Sequence, residues 1–492
     1  MFPYKTSFKI DRKGSQSLYI QLSNQFILLI KEQKLKPKTK LPGSRSLAAL
    51  LNVHRKTVVA CYDELMLQGW VESIPKKGTF VHSNLPLLQQ TTFSKLGFNA
   101  EETQTGFSFY KNKAPQNYSK KKDDTMLSLN DGVSDGRLTP MDEIVRTYRR
   151  IAAKKNIYKH LGYNSVYGSG TLREVLVTYL NETRGLQIAK EHVLITRGSQ
   201  MGIWLSSQLL LKEKDIIVVG ETNYVSANAT FSSQKAILKT VLVDKNGIVT
   251  DEIETICKKQ QIKAVYVTSH HHHPTTVTLS AERRIHLLNL SKQYNFAIIE
   301  DDYDYDFNYK HAPILPLKSH DVNKNVIYIG SICKTVAPVF RVGYLIASKE
   351  FVDEAANRRK IVDRQGDELL ELTFADFIKS GDLDRHIRKV MKVYKQRRDL
   401  FCCLLGKELG GFFKFDKPKG GMAVWTVLNK KYSWKQVAKE ALKNQLEIGD
   451  YSRYEAVNIS HNAIRIGFAS YNEEEIYELI ARLKTTMLAL KN

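Results

Sequence analysis

The chain is short of cysteine, of long apolar runs and of acidic side chains. Its five cysteines, Cys61, Cys257, Cys333, Cys402 and Cys403, are odd in number and lack metal-ligand spacing. That argues against a disulfide scaffold or a cysteine-held metal, and fits reduced thiols in a cytoplasmic protein. No apolar run approaches the roughly eighteen residues of a membrane span. The opening MFPYKTSFKIDRKGSQ has charges but no apolar stretch behind them, so neither a secretory signal nor a membrane partner is expected.

The acidic deficit is large: 51 Asp and Glu against 74 Lys and Arg leave a formal net charge of +23. Residues 1–82 carry 14 Lys and Arg against 5 Asp and Glu, a local net +9. Such a field favours a polyanion, nucleic acid first and an anionic membrane surface second. Basicity spread through the chain for solubility would give the same total. A length of 492 residues implies two or three domains, and an apolar fraction of 42% is enough to give each a core.

What is present begins with SLYIQLSNQFILLIKEQKL, where Leu18, Leu22, Phe26, Leu29 and Ile30 recur at helical spacing. Pro37 and Pro42 break the pattern. SRSLAALLNVHRKTVVACYDELMLQGW then predicts two helices with a turn at Asn52–Val53, the first capped by Ser44. Leu47, Ala48, Leu51, Val53, Val58, Val59, Tyr62 and Leu65 are expected to form one small core. The second helix opens on HRKT, so cations and a hydroxyl are exposed where a recognition helix enters the major groove. WVESIPKKGTFV follows as a hairpin with a basic tip. Any three-helix bundle can imitate this layout, but helix start, wing and local charge agree on DNA binding.

From residue 83 to 125 periodicity disappears, polar residues dominate, and a Lys-Lys-Lys run precedes two aspartates. This reads as an inter-domain linker. It separates an expected DNA-binding domain, residues 1–82, from a second domain, residues 126–492, with a smaller part from about 350.

The second domain alternates β-branched runs with helical stretches, as in an α/β fold with a largely parallel sheet. Ligands of such folds sit beyond the carboxyl ends of the strands. Five runs end in unusual polar residues: VLIT before RGSQ, IIVV before GETNY, AVYVT before SHHHHPTT, AIIE before DDYDYDF, and VIYIG before SICK. A Gly-Ser pair opening a helix suits a phosphate, although alone it is only a cap. Asp301 at a buried strand end needs a cation, either a structural partner or a protonated ring nitrogen. Tyr303 and Tyr224 could serve a flat ring or simply pack. Four adjacent histidines suggest metal, but neighbours on an extended segment face opposite ways and no carboxylate or cysteine stands at ligand spacing, so no metal is expected. A phosphate cradle, a stacking ring, an acid and the lysine of S-x-x-K, Lys334, together describe a pyridoxal 5'-phosphate (PLP) site.

Residues 18–81 resemble the winged helix of GntR regulators, carried by LPGSRSLAALLNVHRKTVVACYDELMLQGWVES and GTFV. From Leu127 to about Leu490 the chain resembles fold-type I, class I aminotransferases through YNSVYGSGTLRE, TRGSQ, IIEDDYDYDF, SICKTVAPVFRVGY and IRIGFA. The fusion resembles the MocR/GabR subfamily of transcription regulators. That resemblance implies an N-terminal winged helix-turn-helix joined to an α/β PLP-dependent aminotransferase fold with a small α+β part. It makes Arg45, Arg55, Lys56, Thr57 and Gly78 the DNA contacts and Lys334 the Schiff-base lysine. Asp301 would face the pyridine nitrogen, Tyr303 the phenolic oxygen, and Tyr224 the ring. Ser199, Gln200, Ser331 and Arg341 would hold the phosphate, and Arg465 the α-carboxylate of an amino acid. Tyr163 would reach the phosphate of a neighbouring subunit, implying a homodimer. The chain departs from the pattern at Thr276, usually glycine, at His273, usually asparagine, and at GETNY, which lacks a proline before Tyr224. Where γ-aminobutyrate-responsive members have an arginine two residues after that tyrosine, this chain has Ser226.

The expected function is a cytoplasmic, dimeric, PLP-dependent regulator that binds a double-stranded DNA operator and responds to an amino acid or to PLP. A working aminotransferase with a DNA-binding appendage is the alternative. A purely architectural DNA binder would not need Lys334, Asp301 and Arg465 together.

Overall fold

Leu22, Phe26, Leu29 and Ile30 line the buried face of helix α1 (Leu18–Lys31), the first element of the winged helix. The computed structural model describes residues 2–85, 105, 107–109, 126–309, 314–332, 334–455 and 460–491. Most of the expected linker 83–125, with its three lysines, lies outside the described residues, as does Cys333. The chain divides into two units, residues 1–112 and 113–492.

In the first unit, helix α2 (Ser44–Leu51) ends at Asn52, whose φ of 53° is the left-handed geometry that asparagine tolerates. Helix α3 (Arg55–Leu67) starts one short turn later, with His54 Nδ1 accepting from the Lys56 N–H at 3.2 Å. The N-cap of α2 is Gly43 rather than Ser44, because the extended backbone ends at Gly43 and Ser44 is already helical. Val59 also departs from the expected core. Val58, Cys61, Tyr62 and Leu65 occupy the buried stripe, and one residue further round the helix leaves Val59 37% exposed. Strands β1 (Val71–Ile74) and β2 (Gly78–Val81) pair antiparallel as the wing.

The second unit is built on a seven-stranded sheet. Its strands are β3 (Val193–Thr196), β4 (Ile216–Gly220), β5 (Ile237–Val241), β6 (Ala264–Val267), β7 (Ala297–Asp302), β8 (Val326–Ser331) and β9 (Gly343–Ile346), in the spatial order β3-β9-β8-β7-β6-β4-β5. The pairs β5–β4, β4–β6, β6–β7 and β7–β8 are parallel. Only β9 runs against its neighbours β8 and β3. The five apolar runs of the sequence are all strands of this sheet; β5 and β9 complete it. Buried Ile, Val and Leu side chains such as Val218, Val265, Ile298 and Leu345 cover both faces, as a helix-sandwiched parallel sheet requires.

A second, antiparallel sheet of β10 (Phe413–Phe415), β11 (Ala423–Leu428) and β12 (Ala463–Gly467) shares one core with helices Asp382–Leu409 and Glu473–Ala489. Strand Leu127–Leu129 pairs parallel with Leu446–Ile448, so the start of the unit lies with its C-terminal part. Helix Glu368–Lys379, by contrast, packs Phe374 and Phe377 against Leu172, Leu176 and Leu180. Among the described residues no helix is long and apolar enough to cross a membrane.

Candidate functional site

Strand β7 ends in consecutive carboxylates, and alternation along the strand sends them to different partners. Glu300 accepts from Ser269 Oγ at 2.5 Å and from the N–H groups of Leu317 and Lys318 at 2.8 and 3.0 Å. Asp302 accepts from the Tyr328 hydroxyl at 2.6 Å and lies 3.1 Å from His270 Nδ1. Asp301 points to the opposite face of the sheet. Its Oδ2 accepts from the Tyr266 hydroxyl at 2.8 Å, while Oδ1 is buried with no hydrogen bond among the described residues. Burial, reinforced by the charges of Asp302 and Asp304, pushes the Asp301 carboxyl up to about 7.

Lys334 and Arg465 meet a single turn. Lys334 Nζ donates to the Gly132 carbonyl at 3.1 Å, and Arg465 Nε donates to the Asp131 carbonyl at 2.7 Å. Asn130 Oδ1 holds this turn by accepting from the N–H groups of Gly132 and Val133 at 3.0 and 3.1 Å. Gly132 has φ 101°, and a Cβ there would come within 3.2 Å of Ala423. Lys334 Nζ lies 5.8 Å and the Arg465 guanidinium 5.9 Å from the centre of the Tyr303 ring. Loss of water pushes the Lys334 amine below the ordinary lysine value, with Arg465 adding in the same direction. Arg465 is only 3% exposed, on β12, and its Nη1 also donates to the Pro274 carbonyl at 3.3 Å.

A third group of residues lies at the start of helix α4 (Ser199–Leu210), where first-turn N–H groups suit an anion. Gly198 precedes it with φ 78°, and a Cβ at Gly198 would lie 3.0 Å from the Arg341 guanidinium. Arg341 Nη2 donates to the Arg197 carbonyl at 2.8 Å. Ser331 stands opposite Gly343 in the β8–β9 register, and Gly343 opposite Thr196 in β9–β3, which brings Ser331 to the same end of the sheet as Ser199. Gln200 is turned towards helix α5 (Val225–Ser233), donating to Thr230 Oγ1 at 2.8 Å, with its Oε1 buried and without a hydrogen bond among the described residues.

Two tyrosines lie close to these groups. Tyr224 is the N-cap residue of α5, its ring edge-on to His273 at 5.2 Å. The Tyr303 hydroxyl donates to the His271 carbonyl at 3.0 Å, and its ring lies 6.1 Å from that of His273. The four histidines do not converge: His271 meets Asp304 at 2.9 Å, His272 meets Thr275 Oγ1 at 2.8 Å, and His273 Nε2 lies 3.7 Å from Asp131. Tyr163 stands apart from this cluster, 80% exposed, with the Arg364 guanidinium 4.2 Å from its ring centre.

The sequence reading missed Tyr266 and Asp131. Tyr266 was legible only as a phenol inside an otherwise apolar strand, and Asp131 carries no motif. Asp131 lies near Arg453, at 3.6 Å, as well as His273. Burial opposes its charge, but His273, Lys334 and Arg453 hold its carboxyl well below the usual range.

In the first unit Arg45, Arg55 and Lys56 are exposed at the starts of α2 and α3, and Thr57 is half-buried behind them. Gly78 opens β2 with φ 115°, where a Cβ would lie 3.2 Å from Lys40 Cε. The hairpin tip between the strands carries Lys76 and Lys77.

Two family descriptions match. "Bacterial regulatory proteins, gntR family" covers residues 18–81, and "Aminotransferase class I and II" covers residues 122–483. The probable rhizopine catabolism regulatory protein MocR of Rhizobium meliloti is 25% identical over 98% of this chain and 96% of that protein. Aromatic-amino-acid aminotransferase 1 of Thermococcus litoralis is 28% identical over 74% of this chain and 88% of its own. The kynurenine aminotransferase of Pyrococcus horikoshii, solved with PMP, superposes with a TM-score of 0.70 at 26% identity, covering 75% of this chain and 92% of that one. This chain belongs to the class I and II aminotransferase family and joins that fold to an N-terminal GntR-type winged helix, the build of the MocR-type transcription regulators.

Proposed function

We propose that the chain binds duplex DNA through its winged helix and carries PLP in the aminotransferase fold to sense an amino acid, or PLP itself. The winged helix is taken as residues 1–82 and the sensing domain as residues 126–492, acting as a cytoplasmic homodimer.

The observation that carries the reading is Lys334 and Arg465 fixed on adjacent carbonyls, beside the one buried oxygen of Asp301 that has no hydrogen bond among the described residues. The residues fit the cofactor. Asp301 Oδ1 would take a protonated ring nitrogen, which would also relieve the cost of its burial. Ser199, Ser331 and Arg341 would hold the phosphate, with Gln200 behind them, and Tyr224 and Tyr303 would flank the ring. When bound, PLP supplies an aldehyde that captures amines and a ring that draws electrons from them. Lys334, with its amine depressed by loss of water, is suited to hold that aldehyde and to move a proton at Nζ. Arg465 would orient an amino acid by forking its carboxylate. Tyr163, exposed on the surface, is the residue offered to a partner subunit.

The alternative, a working aminotransferase, is supported by the completeness of the same set. Titration of DNA captured from genomic fragments, without PLP, with PLP, and with a panel of amino acids, separates the two. A coupling of about one to two kcal/mol would shift DNA affinity about five- to thirtyfold. Affinity that ignores every ligand, together with steady amino-group transfer to an oxo acid, would establish the enzyme instead.

A further inference from the structure

The segment ahead of the matched gntR region, which begins at residue 18, is itself a built element. Tyr4 and Phe8 are buried in the winged-helix core, with the Phe8 ring 4.7 Å from that of Phe26. Two glutamines one turn apart on α1 then clamp the backbone. Gln25 accepts from the Lys9 N–H and donates to the Lys9 carbonyl, both at 2.7 Å. Gln21 does the same for Asp11, at 3.0 and 2.9 Å. A side-chain amide that meets both backbone groups of one residue fixes the direction of the segment as well as its position.

Beyond the clamp, Asp11 Oδ1 accepts from the N–H groups of Lys13 and Gly14 at 2.9 and 3.0 Å and turns the chain. The turn places Arg12 on the helix-turn-helix. Its guanidinium donates to the carbonyl of Asn52, the left-handed residue that ends α2 just before His54 and Arg55 open α3. That bond uses one of five guanidinium N–H groups. Arg12 and Lys13 are both exposed, and among the described residues neither pairs with a carboxylate.

We propose that Arg12 and Lys13 form an additional phosphate-binding site for duplex DNA, flanking the recognition helix. The clamped arm places two cations, neither paired with a carboxylate among the described residues, next to the turn from which Arg55 and Lys56 project. A duplex whose major groove receives α3 would pass its sugar-phosphate edge along that turn, and Arg12, already held on the Asn52 carbonyl, would lose little entropy on binding, with Lys13 beside it on the fixed backbone. The inference rests on α3 being the DNA-contacting helix.

The test is the salt dependence of binding to a random-sequence DNA duplex by the full chain, with Lys13→Ala, Arg12→Ala, the double variant, and Arg55→Ala for comparison. Removing one cation from a phosphate should flatten the log–log salt slope by about 0.9. Lys13→Ala should therefore lower the slope by about 0.9 and the double variant by about twice that. Lys13→Ala should also keep the parental melting temperature, which separates the effect from any loosening of the Asn52 turn in Arg12→Ala. Parental slopes for both single arm variants, with a lowered slope for Arg55→Ala, overturn the inference and leave the recognition helix intact. A parental slope for Arg55→Ala as well overturns the reading of α3 on which the inference stands.

Discussion

Tyr266 donates its hydroxyl to Asp301 Oδ2 at 2.8 Å and leaves the other oxygen of that carboxylate buried without a hydrogen bond among the described residues. Half of the carboxylate is thereby fixed in orientation and half is left to a cation. Without that cation, burial pushes the carboxyl from 3.8 to about 7. Between those values the folded protein holds a proton that the unfolded chain has released. The stability this group contributes is full below about pH 4 and is lost as the pH rises through about 7. Glu371, raised to about 7 by burial, acts in the same sense, whereas His272 and His273, lowered by burial to about 3 and 4, add stability as the pH rises over the same window. The Asp301 contribution is therefore read as a difference: the thermal midpoint of PLP-free parent relative to Asp301→Asn should fall between about pH 4 and 7. An Asp301→Asn profile that matches the parent would remove Asp301 as the source.

Lys334 is the amine that sits on the Gly132 carbonyl within reach of Tyr303. PLP added to the parent should give visible absorbance, and borohydride followed by peptide mapping should find the phosphopyridoxyl group on Lys334. Lys334→Ala should abolish both while leaving DNA binding by the separate winged-helix unit intact. A labelled peptide from elsewhere in the chain would displace this assignment.

Gly198 tests the proposed phosphate site. Its φ of 78° and ψ of 174° lie in a region that essentially only glycine occupies, at a cost of about 1–3 kcal/mol to a side chain. A Cβ would also press on the Arg341 guanidinium at 3.0 Å. Gly198→Ala should weaken PLP binding about tenfold, equivalent to about 1.4 kcal/mol. Pyridoxal, which lacks the phosphate, should bind the variant and the parent alike. Equal losses for both ligands would mean that the substitution damages the fold rather than the phosphate site.

The sequence was most legible where one residue sets local geometry or where period is strong. Asn52 marked the turn between α2 and α3, and the five apolar runs marked strands whose ends carry Ser199, Tyr224, His270, Asp301 and Ser331. Strand β9 escaped because GYLI begins inside the motif SICKTVAPVFRVGY and runs antiparallel, a pairing that no local pattern encodes. Val59 was misplaced because a purely apolar pattern cannot tell adjacent β-branched residues apart. Only the rotation about α3 does so. Asp131 was invisible for a different reason: its place beside Lys334 and Arg465 depends on a strand near residue 127 pairing with one near residue 446.

Arg465 is the residue whose substitution would separate the proposed sensing from the proposed cofactor binding. It is 3% exposed and holds the Asp131 and Pro274 carbonyls through two of its nitrogens, which orients the guanidinium plane. A lysine at this position keeps a positive charge but has no fork for a carboxylate. Losing one charge-assisted hydrogen bond costs about 1.5–3 kcal/mol. Arg465→Lys should therefore weaken amino-acid binding roughly ten- to a hundredfold. The visible spectrum with PLP alone should stay at the parental wavelength, because Lys334 and Asp301 are untouched. The amino-acid-dependent change in DNA affinity should shift to correspondingly higher ligand concentration, with any response to PLP alone retained. A variant that binds amino acids as the parent does would take Arg465 out of the recognition site.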